Sequence, residues 1–152
     1  MKPGNAAPEF NLPALGGGRK SLDEILERGA VLLVFFKIAC PTCQFTLPFL
    51  ERMRKGKLQL VAISQDDAES TREFHESFRI SLETLLDSED DGYPVSNAYR
   101  IANVPTMFVI ERDGTIGEVI YGFVKRDIAE IGTRCGIAPF GPGDYVPEWK
   151  AG

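Results

Sequence analysis

The run Ala30-Val31-Leu32-Leu33-Val34-Phe35-Phe36 is apolar at every position and stops at Lys37. It is far short of the roughly 20 residues that span a bilayer, so it reads as a buried strand. A helical pattern follows from about Cys43 to Lys55, and a second apolar run covers Leu58 to Ile63. Strand, helix and strand in that order form a βαβ unit. If the two strands neighbour in one sheet they are parallel, because the crossover between them is long enough for a helix and takes the right-handed path.

The alternation continues. Asp66 with Glu69 three residues on has the form of a capping box, and Phe74 with Phe78 extends an apolar face, which predicts a helix over about 67–79. Leu82 to Leu86 reads as a short strand. Val95 to Ile101 reads as a short helix that stops ahead of Pro105, since a proline pushes the residue before it out of the α region. Met107 to Ile110 and Ile116 to Tyr121 flank Asp113-Gly114, the signal of an antiparallel hairpin. Ile128, Ile131 and Cys135 share one face of a last helix over about 125–135. At the front, Glu9 to Leu12 and Arg19 to Leu22 flank Gly16-Gly17-Gly18 as an added hairpin. The pattern sets one domain over 1–138 and an extended, Pro/Gly-rich tail over 139–152.

Charge narrows the partners. The 152 residues carry a net charge of −5, which argues against a chain built to wrap nucleic acid or to lie on anionic lipid. No membrane span is expected. Met1-Lys2-Pro3-Gly4-Asn5 has no apolar stretch behind its lysine, so it does not read as a secretory signal. The expectation is a cytoplasmic monomer, or a periplasmic or other extracytoplasmic protein if a signal or anchor has been removed.

The chemistry sits at the first βα junction, in Cys40-Pro41-Thr42-Cys43. Residues three apart in a helical turn bring their Cβ atoms within disulfide range, so reversible closure is easy. The first cysteine falls where unpaired N–H groups and the positive end of the helix dipole stabilise an anion. Cys40 is therefore the candidate nucleophile, which attacks a partner's disulfide, and Cys43 the residue that resolves the mixed disulfide. Pro41 suits a first helical turn, where its missing N–H costs no helix bond. A zinc site would need two more ligands, and only Cys135 and His75 remain, at no supporting spacing. An inert buried pair is the other alternative.

Several motifs in order, from about Ala7 to Cys135, resemble the thioredoxin-like redoxins, and more closely the TlpA-type thiol-disulfide oxidoreductases. They are Ala7-Pro8-Glu9-Phe10-Asn11-Leu12-Pro13, the glycine turn with Ser21-Leu22-Asp23-Glu24, Val34-Phe35-Phe36 leading to the C-x-x-C, and Pro48 in the next helix. Val104-Pro105-Thr106, Phe108-Val109-Ile110 and Arg112-Asp113-Gly114 complete the set. The resemblance implies a thioredoxin-like α/β fold: a mixed central sheet with helices on both faces, here extended by the N-terminal hairpin. It implies a cis peptide bond at Pro105 beside the cysteines. It also implies a substrate-binding surface of Pro41, Thr42, Val104 and Pro105, in which the Val104 backbone pairs with an extended segment of the partner. The partners would be protein thiols or disulfides and an upstream reductant or oxidant. No cofactor is needed, because the dithiol carries the electrons. Ala39 stands where family members usually carry Trp, and Val34 where thioredoxin has a buried acid, so proton handling at Cys43 falls to another group or to water.

Phe35-Phe36 and Cys40-Pro41-Thr42 also resemble peroxiredoxins, and a thiol peroxidase is the alternative function. Peroxiredoxins place Thr or Ser three residues before the reactive cysteine and Pro seven before; here those positions hold Lys37 and Leu33. A third possibility is a binding module that keeps the fold without turnover. The remaining candidates have plainer readings: Cys135 as a small core hydrophobe, His75 as a half-buried helical histidine, Lys37 as a solvated lysine, and Asp87-Ser88-Glu89-Asp90-Asp91 as a solvated acidic loop. Trp149 either docks on the domain or is disordered.

Overall fold

The computed structural model describes residues 1–152. Six consecutive apolar residues make β3 (Val31–Phe36), and every one of them is buried. Such a strand needs cover on both faces, and the chain supplies it by alternation. Leu32, Val34 and Phe36 face one core; Val31, Leu33 and Phe35 face the other. Beside β3 lie β4 (Gln59–Ser64) in parallel and β6 (Thr106–Ile110) in antiparallel register, with β5 (Glu83–Leu86) and β7 (Ile116–Tyr121) outside them. The five-stranded sheet runs β5-β4-β3-β6-β7, a mixed sheet with β3 of the βαβ unit at its centre.

The first core holds α2 (Pro41–Glu51), Phe74 of α3 (Ala68–Phe78), and Ile128, Ile131 and Cys135 of α5 (Lys125–Cys135). The second holds α1 (Leu22–Glu27), Val95 of α4 (Pro94–Ala98) and Tyr99 just beyond it, packed on Phe35 and Phe108 at ring separations of 5.2 Å each. Helices thus cover both faces. The N-terminal hairpin is present as β1 (Asn11–Pro13) and β2 (Arg19–Ser21). No helix is long and apolar enough to cross a membrane.

Several local features depart from the sequence expectations, among them α4, which ends at Ala98 and not at Ile101. Helix α1 was not anticipated: six residues are too few for a periodicity, yet Ser21-x-x-Glu24 is a capping box, and the Ser21 hydroxyl accepts the Glu24 N–H at 3.1 Å. Helix α2 begins two residues earlier than expected, at Pro41. Helix α3 is capped by Asp67, which accepts the Ser70 N–H at 2.7 Å, and not by Asp66. Asp87 is no part of a solvated loop. It is fully buried, accepting the Val95 N–H at 3.1 Å and the Ser96 N–H at 2.6 Å, so a carboxylate satisfies the donors at the start of α4.

Residues 139–152 return along α2. Phe140 packs against Phe49 at 5.0 Å, and Arg52 grips the Asp144 carboxylate at 2.8 and 3.2 Å. The segment ends in β9 (Trp149–Lys150), paired antiparallel with β8 (Phe123–Val124). Cys135 is buried on the inner face of α5, and His75 is half-buried with a ring nitrogen 3.0 Å from Thr84 Oγ1.

Candidate active site

Cys40 is the N-cap of α2. Its backbone is extended, and its Sγ accepts the Cys43 N–H at 3.1 Å, the task a Ser or Asp oxygen performs at other helix starts. Pro41 follows as the first helical residue. The Cys40 thiol also reaches the Val104 carbonyl at 3.3 Å, and the Val104–Pro105 peptide bond is cis. Strand order explains the meeting: β3 leads into Cys40, and its antiparallel neighbour β6 starts at Thr106, so residue 104 arrives at the same end of the sheet.

The loop between β3 and α2 is held at one residue. The Ile38 N–H donates to Asp66 Oδ2 at 2.8 Å, and the Ile38 carbonyl accepts from Gln44 Nε2 at 2.8 Å. Both holding residues escaped sequence reasoning. Asp66 reads there as a helix cap, whereas its carboxylate crosses to the neighbouring loop; Gln44 gives no local signal at all.

The two cysteines differ sharply in environment. Cys40 is half-buried and opens into a cleft of about 430 Å³, shared with Lys37, Pro41, Asn97, Asn103 and Val104. Cys43 is wholly enclosed by the core. Burial holds its thiol far above the usual thiol range, and the hydrogen bond with Cys40 adds to this; the Lys37 backbone acts in the opposite sense. Desolvation also raises the thiol of Cys135. All three cysteines are free. Brief iodoacetamide treatment of the folded protein at neutral pH is therefore expected to add a single label, at Cys40. Mass spectrometry showing comparable labelling of Cys43 or Cys135 would contradict this asymmetry.

Of the other residues singled out, Val104 and Pro41 border the cleft, and Pro105 is buried. Thr42 is buried too, but turns aside: its hydroxyl donates to the Ala151 carbonyl at 2.6 Å. Ala39 and Lys37 are exposed. Glu111, an acid close in sequence to β6, lies past the opposite end of that strand and pairs with Arg134 at 3.0 Å, so it takes no part here.

The AhpC/TSA family profile matches residues 3–119. The chain belongs to the AhpC/TSA family. Among curated relatives of this redoxin, the thiol-disulfide oxidoreductase ResA of Geobacillus kaustophilus (strain HTA426) is 28% identical over 131 residues, covering 82% of this chain and 73% of that protein. Among solved structures, a thiol:disulfide interchange protein from Bacteroides sp. superposes with a TM-score of 0.74 at 21% identity, covering 95% of this chain and 94% of that one. Peroxidoxin BcpB from Mycobacterium tuberculosis superposes with a TM-score of 0.67 at 24% identity, over 79% and 85% of the two chains. The fold of this AhpC/TSA member is thioredoxin-like, and the enzyme is of the thiol-disulfide oxidoreductase class.

Proposed function

We propose that the protein exchanges its Cys40/Cys43 dithiol with the disulfides of other proteins through a mixed disulfide on Cys40. The observation that carries this reading is the placement of the Cys40 sulfur, which is capped by the Cys43 N–H, beside the Val104 carbonyl and open to a cleft. In the first step the Cys40 thiolate attacks one sulfur of the partner's disulfide. That S–S bond breaks, and the departing partner sulfur takes a proton. Cys43 then gives up its proton to water or to a leaving thiolate and attacks Cys40 Sγ. The second partner sulfur leaves, two electrons have passed to the partner, and Cys40 and Cys43 are joined.

The surrounding residues suit those steps. The Cys43 N–H donates to the Cys40 sulfur and fixes its position beside the cleft. Burial raises the Cys43 thiol and shields it from a partner, so attack falls to Cys40 and resolution to Cys43. The Val104 N–H makes no hydrogen bond within the chain, so an extended partner segment can pair there and hold its disulfide over Cys40. Direction is set by the reduction potential of the Cys40/Cys43 pair against that of the compartment, and measuring that potential with glutathione buffers fixes it.

A peroxidase reading has the family profile and the BcpB likeness in its favour. Against it stand Lys37 and Leu33 at the positions where peroxiredoxins shape a peroxide pocket. Insulin reduction and stopped-flow oxidation by hydrogen peroxide separate the two. The expected result is catalysed insulin reduction with slow, non-saturating reaction with peroxide; fast, saturable oxidation of Cys40 would overturn the proposal.

A further inference from the structure

The edge that a partner segment would use is covered by the protein's own chain, which lies against the Val104 carbonyl and leaves the Val104 N–H unbonded. After β9 the backbone runs across the mouth of the site: the Ala151 carbonyl accepts the Thr42 hydroxyl inside the C-x-x-C, and Gly152 presses on the Val104 peptide. A Cβ at Gly152 would overlap the Val104 carbonyl, the same oxygen that the Cys40 thiol reaches. Gly152 also borders the cleft into which Cys40 opens. On the other flank, Gly122, at a φ of 72°, leaves room for the Lys150 carbonyl, which a Cβ there would meet at 2.5 Å.

The hold on this segment is graded. Upstream it is firm, with Phe140 set against Phe49 and Phe123 and the two-point Arg52–Asp144 contact. Downstream it is lighter: a two-residue strand pairing, the Lys150 ammonium 5.5 Å from the centre of the Phe45 ring, the Lys125 N–H on the Glu148 carbonyl at 3.0 Å, and the single Thr42 bond. Trp149 is 61% exposed, and Ala151 and Gly152 are exposed as well. The end of the segment can therefore lift while residues 139–146 stay in place.

We infer that Trp149–Gly152 is a displaceable strap that determines specificity at Cys40. An extended polypeptide must lift it from the Val104 edge before pairing there, whereas a compact disulfide enters the cleft between Lys37, Asn97 and Asn103 with the strap in place. The inference rests on the proposed exchange at Cys40 and adds to it a selection among partners. Lifting the strap gives up the Thr42 bond, the short pairing with β8 and the Lys150–Phe45 contact, and water and the incoming segment replace most of them, which predicts a penalty of about tenfold in rate, ~1.4 kcal/mol.

The test is the single-turnover reaction of Cys40 in the full chain carrying Cys43→Ser. Two probes are used: hydroxyethyl disulfide, and an unstructured decapeptide with a central cysteine in a mixed disulfide. Each is compared with and without excision of Trp149–Gly152, and with Gly152→Ala, which crowds the Val104 carbonyl without shortening the chain. Excision is expected to raise the peptide rate about tenfold while the hydroxyethyl disulfide rate stays within twofold. Gly152→Ala moves the peptide rate in the same direction. An unchanged peptide rate, or an equal rise for both probes, overturns the strap while leaving exchange at Cys40 intact. Failure of both probes to react in every form overturns the proposed exchange itself, and the strap's role with it.

Discussion

Replacing Cys40 by Ser is expected to lower kcat/KM for insulin reduction by on the order of 10³-fold or more, the scale on which loss of a covalent nucleophile acts. Serine fills nearly the same space and can still cap α2, so the fold should survive and the loss can be assigned to the sulfur. The hydroxyl is a far weaker nucleophile near neutral pH and cannot form the mixed disulfide. Cys43→Ser should reduce turnover as severely by a different route. Its Cys40 still attacks, but the product remains attached because no second thiol lies one helical turn deeper to release it. The two variants are thus distinguished by their first turnover: none for Cys40→Ser, one equivalent of partner thiol for Cys43→Ser. A Cys40→Ser enzyme retaining a tenth of wild-type activity would contradict the assignment.

The second large effect is on stability. Asp87 is fully buried and receives the N–H groups of Val95 and Ser96, while its own N–H donates to the Ser64 carbonyl at 2.8 Å. Asp87→Ala leaves two buried donors without acceptors. At about 1–3 kcal/mol for each, reduced by the desolvation cost the carboxylate no longer incurs, the variant should lose on the order of 3 kcal/mol. Asp87→Asn keeps one acceptor oxygen and should lose roughly half as much. Urea unfolding gives the comparison as a shift in midpoint at constant slope. A loss below about 1 kcal/mol for the alanine variant would show that water reaches the start of α4 and replaces the carboxylate. Ser96 and Asn97 of the same helix border the Cys40 cleft, so loosening α4 also disturbs one wall of the site.

Asp87 shows where sequence reasoning stops. The acidic run from 87 to 91 is polar throughout, and nothing local separates the one residue that turns inward from those that face water. What singles it out is β5, which ends one residue earlier and points the next side chain beneath α4. Asp66 and Asp67 fail similarly, because adjacent acids compete for one helix cap and the loser's partner, the Ile38 N–H, is supplied by a distant loop. The strap is hidden for the same reason. Pairing of Trp149 with Val124 joins residues 25 apart in sequence across a helix, and two residues carry no periodicity.

The features that were legible have strong local causes. The all-apolar β3 requires cover on both faces, the Asp113-Gly114 turn closes β6 on β7, and the face Ile128-Ile131-Cys135 marks α5 over the range seen. The C-x-x-C at a strand-to-helix junction places Cys40 at the cap, where β3 has just ended, and Cys43 one turn further on the face of α2 that packs into the core. The cis bond at Pro105 was expected only through the family resemblance, since the residues around it give no physical preference strong enough to choose the isomer.

The central claim is that Cys40, and no other thiol of the chain, carries the partner. The most direct measurement is peptide mapping by mass spectrometry of the Cys43→Ser protein after incubation with a disulfide-bonded protein. The account predicts one partner linked through a disulfide to Cys40, released by dithiothreitol and absent when Cys40 is also replaced. A linkage mapped to Cys135, or no linkage while wild-type protein reduces the same partner, would contradict it.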